Sequence, residues 1–245
     1  MPKIGIIGGS GLDDPQILSE PQEKEVKNKY GQLASPLTVG KIAGVEVVIL
    51  ARHGKNHGVP PTLINFLANI LALKEEGCTH ILATTAVGSL REEIKPGNLV
   101  FPDQFIDFTR HRNLTFFTDS VVHTSMADPY DQNLRDLLCR TCDELGYAYN
   151  RDKTVITIEG PRFSTKAESH MFRGWGADII NMSTCPEVIL ANELKIPYQT
   201  IAMSTDYDTW REGDDHVTWE MILKIMNENA EKVKQLLINV IPKIK

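Results

Sequence analysis

Two aspartates near the C-terminal end of the chain have a spacing that could support acid–base chemistry. Asp206 and Asp208 follow the apolar run 198–203. Residues two apart on an extended strand point to the same side, so we expect both carboxyl groups at one strand end. Two like charges that close resist full ionisation, and one of them tends to keep a proton near neutrality. Such a pair can donate one hydrogen bond and accept another, as the N6-amino and N7 edge of an adenine requires. The alternative is a pair of residues that caps a turn or the next helix.

A second group of residues could bind an anion. The first apolar run is followed by Gly8-Gly9-Ser10-Gly11, and glycines allow backbone N–H groups to approach a phosphate closely. A dinucleotide-binding loop would need a third glycine where Asp14 stands, and the lysine of a nucleoside-triphosphate loop is missing. We therefore interpret this segment as a phosphate contact, with a tight turn as the alternative.

Further polar residues follow other apolar runs. Arg52 offers a forked, permanently charged donor, and His53 is expected to add another donor; a surface loop with salt bridges is the alternative. Thr85 and Ser183 stand at two more predicted strand ends, where Ser183 could also be a helix cap. Ligands bind at such ends in α/β proteins. A phosphate cradle could be formed from four strand ends by Ser10, Arg52, His53, Thr85, Ala86 and Ser183.

The elements that must position these residues alternate between strands and helices. This alternation predicts an α/β fold in one domain, 1–245, with a mixed, mostly parallel central sheet flanked by helices. Thr62 is predicted to cap the first helix, and Ser164 is predicted to cap a later one. The polar and aromatic stretch 109–130 is long for a simple connection, which indicates a functional or interface loop.

Composition limits the partners of the chain. Its 245 residues are 42% hydrophobic and carry a formal net charge of −6, with no run of Lys or Arg, so nucleic acid and acidic membranes are not expected partners. No apolar stretch approaches membrane-spanning length, and the N-terminus does not resemble a signal peptide. Cys139 and Cys142 form a CxxC pair that fits helical core packing better than a zinc site. We expect a cytoplasmic protein with free thiols and no bound metal.

Long segments of the chain resemble the purine nucleoside phosphorylases of the trimeric type. The similarity runs over nearly the whole length, and its strongest segments are GIIGGSGLDDP (5–15), LARHGKNH (50–57), ALKEEGCTHILATTAVGSLREEI (72–94), TIEGPRFSTKAES (157–169), WGADIINMST (175–184) and AMSTDYDTW (202–210). The resemblance implies the nucleoside phosphorylase fold, a homotrimer with its sites at the subunit interfaces, and phosphorolysis of a purine nucleoside. It implies no cofactor, because inorganic phosphate is a co-substrate.

The resemblance also implies a role for each matching residue. It assigns phosphate binding to the cradle residues named above. Met182 would lie along the ribose, Phe163 near the sugar and base, and His123 at the 5′ end of the sugar in a neighbouring subunit's site. Asp206 and Asp208 would hold the purine edge and act as the catalytic residues. Two further residues are expected to influence substrate choice: Ser164, and Trp219, which stands where close animal relatives have a small aliphatic residue.

The resemblance implies methylthioadenosine as the nucleoside. The carboxylate pair favours such a 6-aminopurine nucleoside, because a 6-oxopurine would present an acceptor to a carboxylate. Four other readings stay open at this point. They are a phosphorylase of 6-oxopurine nucleosides or methylthioinosine, a nucleosidase that uses water, a dinucleotide-dependent oxidoreductase, and a nucleoside-binding module without activity.

Overall fold

A nine-stranded mixed sheet forms the centre of the protein. The computed structural model describes residues 2–8, 17–211 and 219–245, without the side chains of 56, 219–224, 226 and 227. The strands are β1 (Lys3–Gly8), β2 (Ser19–Lys24), β3 (Lys27–Asn28), β4 (Gly31–Gln32), β5 (Leu37–Ile42), β6 (Val45–Ala51), β7 (His80–Ser89), β8 (Leu99–Phe108), β9 (Tyr149–Ile158), β10 (Ile179–Asn181) and β11 (Tyr198–Tyr207). The helices are α1 (Phe66–Glu75), α2 (Gln132–Leu145), α3 (Lys166–Gly174), α4 (Thr184–Glu193) and α5 (Trp219–Val240).

The strand order is β10-β9-β8-β11-β7-β1-β6-β5-β2, and β3 pairs with β4 separately. Strand β7 has neighbours of two kinds, because its first half pairs with β1 and its last two residues pair with β10. The strands β7, β11, β8, β9 and β10 therefore close into a ring. Parallel pairing joins β6, β1, β7 and β11, so the carboxyl ends of these strands lie along one edge. The predicted mixed α/β sheet is confirmed.

Helices cover both faces of the sheet. Buried residues of α1 and α4 pack on one face in a cluster that includes Ile70 and Val188. Buried residues of α2 and α5 pack on the other face, where Cys139 and Cys142 lie among Leu and Val side chains. Helix α3 packs separately against the ring through Phe172. The predicted packing role of the CxxC pair is confirmed, and both thiols are free.

Two predicted helix caps are wrong by a few residues. Helix α1 is capped by Asn65, whose side chain accepts a hydrogen bond from the Ala68 N–H, whereas Thr62 lies in a preceding 3₁₀ turn. Helix α3 is capped by Thr165, which forms a reciprocal capping box with Glu168. Ser164 is therefore not the N-cap of α3.

The segment 109–130 contains no helix or strand, as predicted. Its first residues are fixed by Glu159, whose carboxylate accepts hydrogen bonds from the backbone N–H groups of Arg110 and His111. Burial alone would raise the pKa of Glu159, but these bonds and Arg112 lower it to about 2.

In the described parts of the chain, no helix is long and apolar enough to cross a membrane.

Candidate active site

One cavity of about 150 Å³ lies at the carboxyl ends of the parallel strands. Strands β7 and β11 form its floor, and the segments after β6, β9 and β10 form its walls. The cavity is lined by Arg52, His53, His57, Pro61, Thr85, Ala86, Val87, Gly88, Ile158, Phe163, Ser164, Ile180, Asn181, Met182, Ser183, Met203, Thr205, Asp206 and Asp208. The structure thus brings together predicted residues from segments far apart in the sequence.

Arg52 is held by a buried ion pair. Its side chain is 2% exposed, and that of Glu187 is 1% exposed. The Nε and Nη2 groups donate to the two carboxylate oxygens of Glu187, and Nη1 donates to the Thr84 carbonyl oxygen at 3.0 Å. Burial would lower the pKa of Arg52, but Glu187 outweighs it and raises that pKa. Three of the five guanidinium N–H groups are thereby used, which leaves two that can donate to an anion.

His53 has the opposite hydrogen-bonding role from the one predicted. Its Nδ1 lies 2.8 Å from the carbonyl oxygen of Val59. A carbonyl oxygen only accepts, so Nδ1 carries the hydrogen and the Nε2 of the neutral ring is an acceptor. Burial, together with the nearby Arg52, lowers the pKa of His53 to about 4. The donor predicted at His53 is therefore used within the loop, and the neutral ring offers the cavity an acceptor instead.

Two hydroxyl groups also line this anion-binding end of the cavity. Thr85 Oγ1 and Ser183 Oγ are 2.9 Å apart, and Asn181 Nδ2 donates to Thr85 Oγ1 at 3.4 Å. Asn181 is itself oriented by Thr157, which donates to its amide oxygen at 2.8 Å. Ser183 occupies the N-cap position of α4 without making a cap hydrogen bond, so its hydroxyl faces Thr85 instead.

The two aspartates lie together at the other end of the cavity. Asp206 is the penultimate residue of β11, and Asp208 follows the strand directly. Ser164 Oγ lies 2.6 and 2.7 Å from the two carboxylate oxygens of Asp208 and donates to them. Thr205 Oγ1 donates to Asp206 at 2.7 Å. The predicted pairing of the aspartates on one side is confirmed, with Ser164 as a partner of Asp208.

The environments of the two carboxyl groups separate their roles. Burial raises the pKa of Asp206 to about 6, and the charge of Asp208 contributes to that rise. Burial also raises the pKa of Asp208, but the hydrogen bond from Ser164 opposes the shift. Asp206 is therefore the better candidate for a proton donor, and Asp208 is the better candidate for a charged acceptor.

Small residues make room for this arrangement. A Cβ atom at Gly88 would lie 3.2 Å from Asp206 Oδ2 and 3.0 Å from the Cγ2 of Ile180, so a glycine lets the strand approach the carboxylate. At Gly160, whose φ is +69°, a Cβ atom would lie 2.5 Å from the Met182 sulfur. Met182 and Ile158 form an apolar wall between the two polar ends of the cavity.

Comparison with known proteins agrees with this geometry. The family model of the phosphorylase superfamily matches residues 3–242. The chain belongs to the phosphorylase superfamily. It is 52% identical to the S-methyl-5′-thioadenosine phosphorylase of Danio rerio, over 99% of this chain and 89% of that protein.

Solved structures of methylthioadenosine phosphorylases have the same fold as this chain. The methylthioadenosine phosphorylase of Schistosoma mansoni in complex with adenine superposes with a TM-score of 0.95 at 36% identity, over 99% of this chain and 92% of that chain. A variant of the adenosine/methylthioadenosine phosphorylase of the same organism, in complex with methylthioadenosine, has a TM-score of 0.94 at 35% identity over 99% of this chain and 91% of that chain. The predicted family and the nucleoside phosphorylase fold are confirmed.

Three predicted site residues of this phosphorylase are not placed in the cavity. Ser10 lies outside the described residues, and Trp219 begins α5 with its side chain outside the description. His123 is exposed in the segment 109–130 and does not line the cavity of its own chain, so its proposed role in a neighbouring subunit's site stays a prediction.

Glu187 is a residue of this phosphorylase site that the sequence analysis missed. Its sequence signal is a single carboxylate within the apolar run 185–191, directly after Pro186. A charge in such a run is buried once the helix packs, and a buried carboxylate requires a partner. That signal predicts a buried ion pair but does not identify Arg52 as the partner.

Proposed function

We propose that this phosphorylase cleaves S-methyl-5′-thioadenosine with inorganic phosphate, giving adenine and S-methyl-5-thio-α-D-ribose 1-phosphate. The observation that carries the proposal is the cavity itself, which has an anion-binding end at Arg52 and a carboxylate pair at the other. The names of the relatives and the methylthioadenosine held by the Schistosoma mansoni variant support the same substrate.

At the anion-binding end, the phosphate is positioned and then acts as the nucleophile. Two N–H groups of Arg52 and the hydroxyl of Ser183 can donate to it. As the glycosidic bond breaks, positive charge develops on the ribose, and an adjacent phosphate stabilises that charge before bonding to C1′. No covalent sugar–enzyme intermediate is required.

At the other end, the leaving adenine gains negative charge. Asp206, whose pKa is raised to about 6, is suited to donate a hydrogen bond or a proton at N7. Asp208, held by Ser164, is suited to accept from the N6-amino group. A 6-oxopurine would place an acceptor opposite Asp208, which leaves buried polar groups mismatched.

The test measures free-base release from methylthioadenosine, adenosine, methylthioinosine and inosine, each with and without phosphate. We expect phosphate-dependent release of adenine, fastest from methylthioadenosine. Faster release of hypoxanthine would contradict the role of the carboxylate pair. Release without phosphate would make the protein a nucleosidase, and binding without release would make it a binding module.

We further propose that the protein forms a homotrimer in which His123 completes the site of a neighbouring subunit. Large apolar side chains are exposed near the cavity mouth and in the segment that carries His123: Leu63, Leu114, Val121 and Val122. Val121 is 83% exposed, and such surfaces support a role in association.

Mixed trimers can test the contribution of a neighbouring subunit. We expect His123→Ala and Asp206→Asn to be impaired separately and to regain part of the activity when the two chains are refolded together. A mixture no more active than the sum of its components, or a monomer by light scattering, would contradict the proposal.

The proposed reaction uses no metal or organic cofactor, since phosphate is consumed as a co-substrate. A reducing, cytoplasmic setting is part of the proposal. It is supported by the four cysteines, which are all buried free thiols.

A further inference from the structure

We propose that Trp210, held by Arg173, positions the Asp208 carboxylate and thereby sets the preference for a 6-aminopurine over a 6-oxopurine. Trp210 does not line the cavity, so it acts through Asp208 rather than on the substrate. The inference rests on the proposed function and deepens it by naming a positioning residue behind the carboxylate end.

The hydrogen bond from the indole N–H group is the first contact that carries the inference. Ser89 is the last residue of β7, and its carbonyl oxygen accepts from Trp210 Nε1 at 2.8 Å. The same oxygen accepts from the backbone N–H of Asp208 at 3.1 Å. Because the chain turns at 209–210, the indole returns to the carbonyl oxygen that also holds the Asp208 backbone. Asp208 and Trp210 are therefore tied to one atom at the end of a neighbouring strand.

The indole ring is also held by helix α3. The guanidinium carbon of Arg173 lies 3.5 Å from the ring centroid of Trp210, which is a close cation–π contact. Among the described residues, Arg173 Nη1 has no hydrogen-bond partner, so the aromatic face is an important contact for this cation. Trp210 is 9% exposed and packs in one apolar cluster with Ile158 and Ile180, two residues that line the cavity.

Both ends of α3 contact the segment that carries Asp208. Before the helix begins, Ser164 donates to the Asp208 carboxylate, and the Ser164 carbonyl oxygen accepts from Thr209 Oγ1 at 3.4 Å. In the last turn of the helix, Arg173 lies over Trp210. The carboxylate is thus oriented by a hydroxyl group, and the backbone that carries it is fixed by the contacts of the indole.

The close packing around Asp208 makes its position sensitive to small shifts. Asp208 is 6% exposed, and a Cβ atom at Gly88 would lie 3.3 Å from the Asp208 Cβ. The end of β11 therefore lies directly against the backbone of β7. An acceptor that moves away from the N6-amino group loses the hydrogen bond that distinguishes this group from an oxygen. Discrimination at the base, rather than phosphate binding, should therefore respond to changes at Trp210.

A purely structural role for Trp210 is the competing arrangement. The ring would then only fill the apolar cluster that it forms with Leu90 and Phe172, and its replacement would lower the fraction of folded protein. Activity on every nucleoside would fall by the same factor, so the ratio of two activities would not change. In the arrangement proposed here, activity on a 6-aminopurine nucleoside falls more than activity on the matching 6-oxopurine nucleoside.

Steady-state kinetics on methylthioadenosine and methylthioinosine separates these arrangements, because the two nucleosides differ only in the base. Trp210→Phe keeps an aromatic face for Arg173 and removes the N–H donor to Ser89. We expect the kcat/KM for methylthioadenosine, divided by that for methylthioinosine, to fall by about 5-fold, and the phosphate KM to change by less than about twofold. Arg173→Gln keeps the donor and removes the cation, so we expect the same ratio to fall by about threefold.

Trp175→Phe is the matched control. Trp175 is 51% exposed, packs edge-on against Phe108 and Phe172, and does not line the cavity. Its ratio should stay within about twofold of the wild-type ratio.

The outcomes separate the inference from the proposed function. An unchanged ratio in folded Trp210→Phe beside intact wild-type phosphorolysis overturns the inference alone, and so does an equal fall in the control. If Trp210→Phe does not fold, the ratio measured for Arg173→Gln decides. A wild type that releases neither base overturns the proposed function and the inference with it.

Discussion

The two ends of the cavity handle charge in different ways. At the anion-binding end, the charge of Arg52 is matched by buried Glu187, and His53 is neutral. At the carboxylate end, Asp206 and Asp208 face the same space without a cationic partner among the described residues, and the pKa of Asp206 is raised to about 6. One end is thus fixed in protonation state near neutrality, whereas the other is poised to exchange a proton.

This difference corresponds to the two tasks of phosphorolysis. The nucleophile is already an anion and needs orientation, so fixed donors are sufficient. The leaving base must receive a hydrogen bond or proton as the bond breaks, so a group with a pKa near the working pH is useful. Replacing a fixed group should therefore mainly affect stability and phosphate binding, and replacing a poised group should mainly affect turnover and base choice.

The largest expected effect comes from removing the negative charge behind Arg52. Glu187→Gln leaves a guanidinium that is 2% exposed without its ionic partner, and we expect the free energy of unfolding to fall by about 3 kcal/mol. Saturating phosphate should recover part of this loss, because the bound dianion becomes the partner of Arg52. Urea unfolding at fixed protein concentration, with and without phosphate, measures both effects.

The matched control for that variant is Glu23→Gln. Glu23 forms an ion pair with Lys55 at 2.7 Å, and both side chains are more than half exposed. Its replacement should change the unfolding free energy by less than about 1 kcal/mol, and phosphate should stabilise this variant no more than it stabilises the wild type. A Glu187→Gln protein as stable as this control would mean that the anion-binding end is not fixed by the ion pair.

The next largest effect concerns the poised end. Asp206→Asn cannot supply a proton to the leaving base, so we expect kcat/KM for methylthioadenosine to fall by about 10²-fold or more. An amide at position 206 can still donate at N7, and its NH2 group can also reach the neighbouring 6-oxygen of a 6-oxopurine, so the ratio of activity on inosine to activity on methylthioadenosine should rise. Steady-state kinetics on both nucleosides measures this ratio, and an unchanged ratio would contradict the assigned base recognition.

The same substitution should stabilise the protein in a pH-dependent way. Asp206 titrates near 6 when folded, against an ordinary value of 3.8, so the folded state binds more protons between these pH values. The contribution of Asp206 to the free energy of unfolding therefore decreases as pH rises through that window. Above pH 6 the destabilisation by the buried charged carboxylate is complete. Asp206→Asn should be more stable above pH 6 by up to about 3 kcal/mol and should lose this advantage near pH 4. Unfolding curves across that range test the sign, and a constant difference would contradict the raised pKa.

Residues that follow apolar runs were predictable from the sequence. Arg52, Ser183 and Asp206 each stand at or near a strand end, and the parallel pairing of β6, β1, β7 and β11 brings several of these ends together. The strand end predicted at Thr85 is wrong, because β7 continues to Ser89 and Thr85 lies inside it. Continuous apolar runs and the polar residues that follow them are local signals, which is why they can be recognised without a structure.

Pairings between distant residues were not predictable in the same way. Glu187 meets Arg52 across 135 positions, and nothing local to either residue specifies the other. The tautomer of His53 depends on which carbonyl its ring reaches, here that of Val59. Both Ser164 and Thr165 are suitable cap residues, so the sequence does not fix the first residue of α3 to within one position. In the structure the cap is Thr165.

The neighbours Ser164 and Thr165 allow the effect of a hydrogen bond to the Asp208 carboxylate to be separated from the effect of a helix cap. Ser164→Ala removes the donor to Asp208, so the pKa of this carboxyl should rise further, and kcat/KM for methylthioadenosine should fall by about 10-fold, more so at lower pH. Thr165→Ala removes a helix cap instead and should cost about 1 kcal/mol of stability with an unchanged pH profile. Measuring pH–rate profiles and unfolding free energies for both variants checks the assignment. Because the two hydroxyls are adjacent in the chain, a shared loss of activity would show that α3 as a whole positions the carboxylate end, and a loss confined to Ser164→Ala would assign the effect to one hydrogen bond.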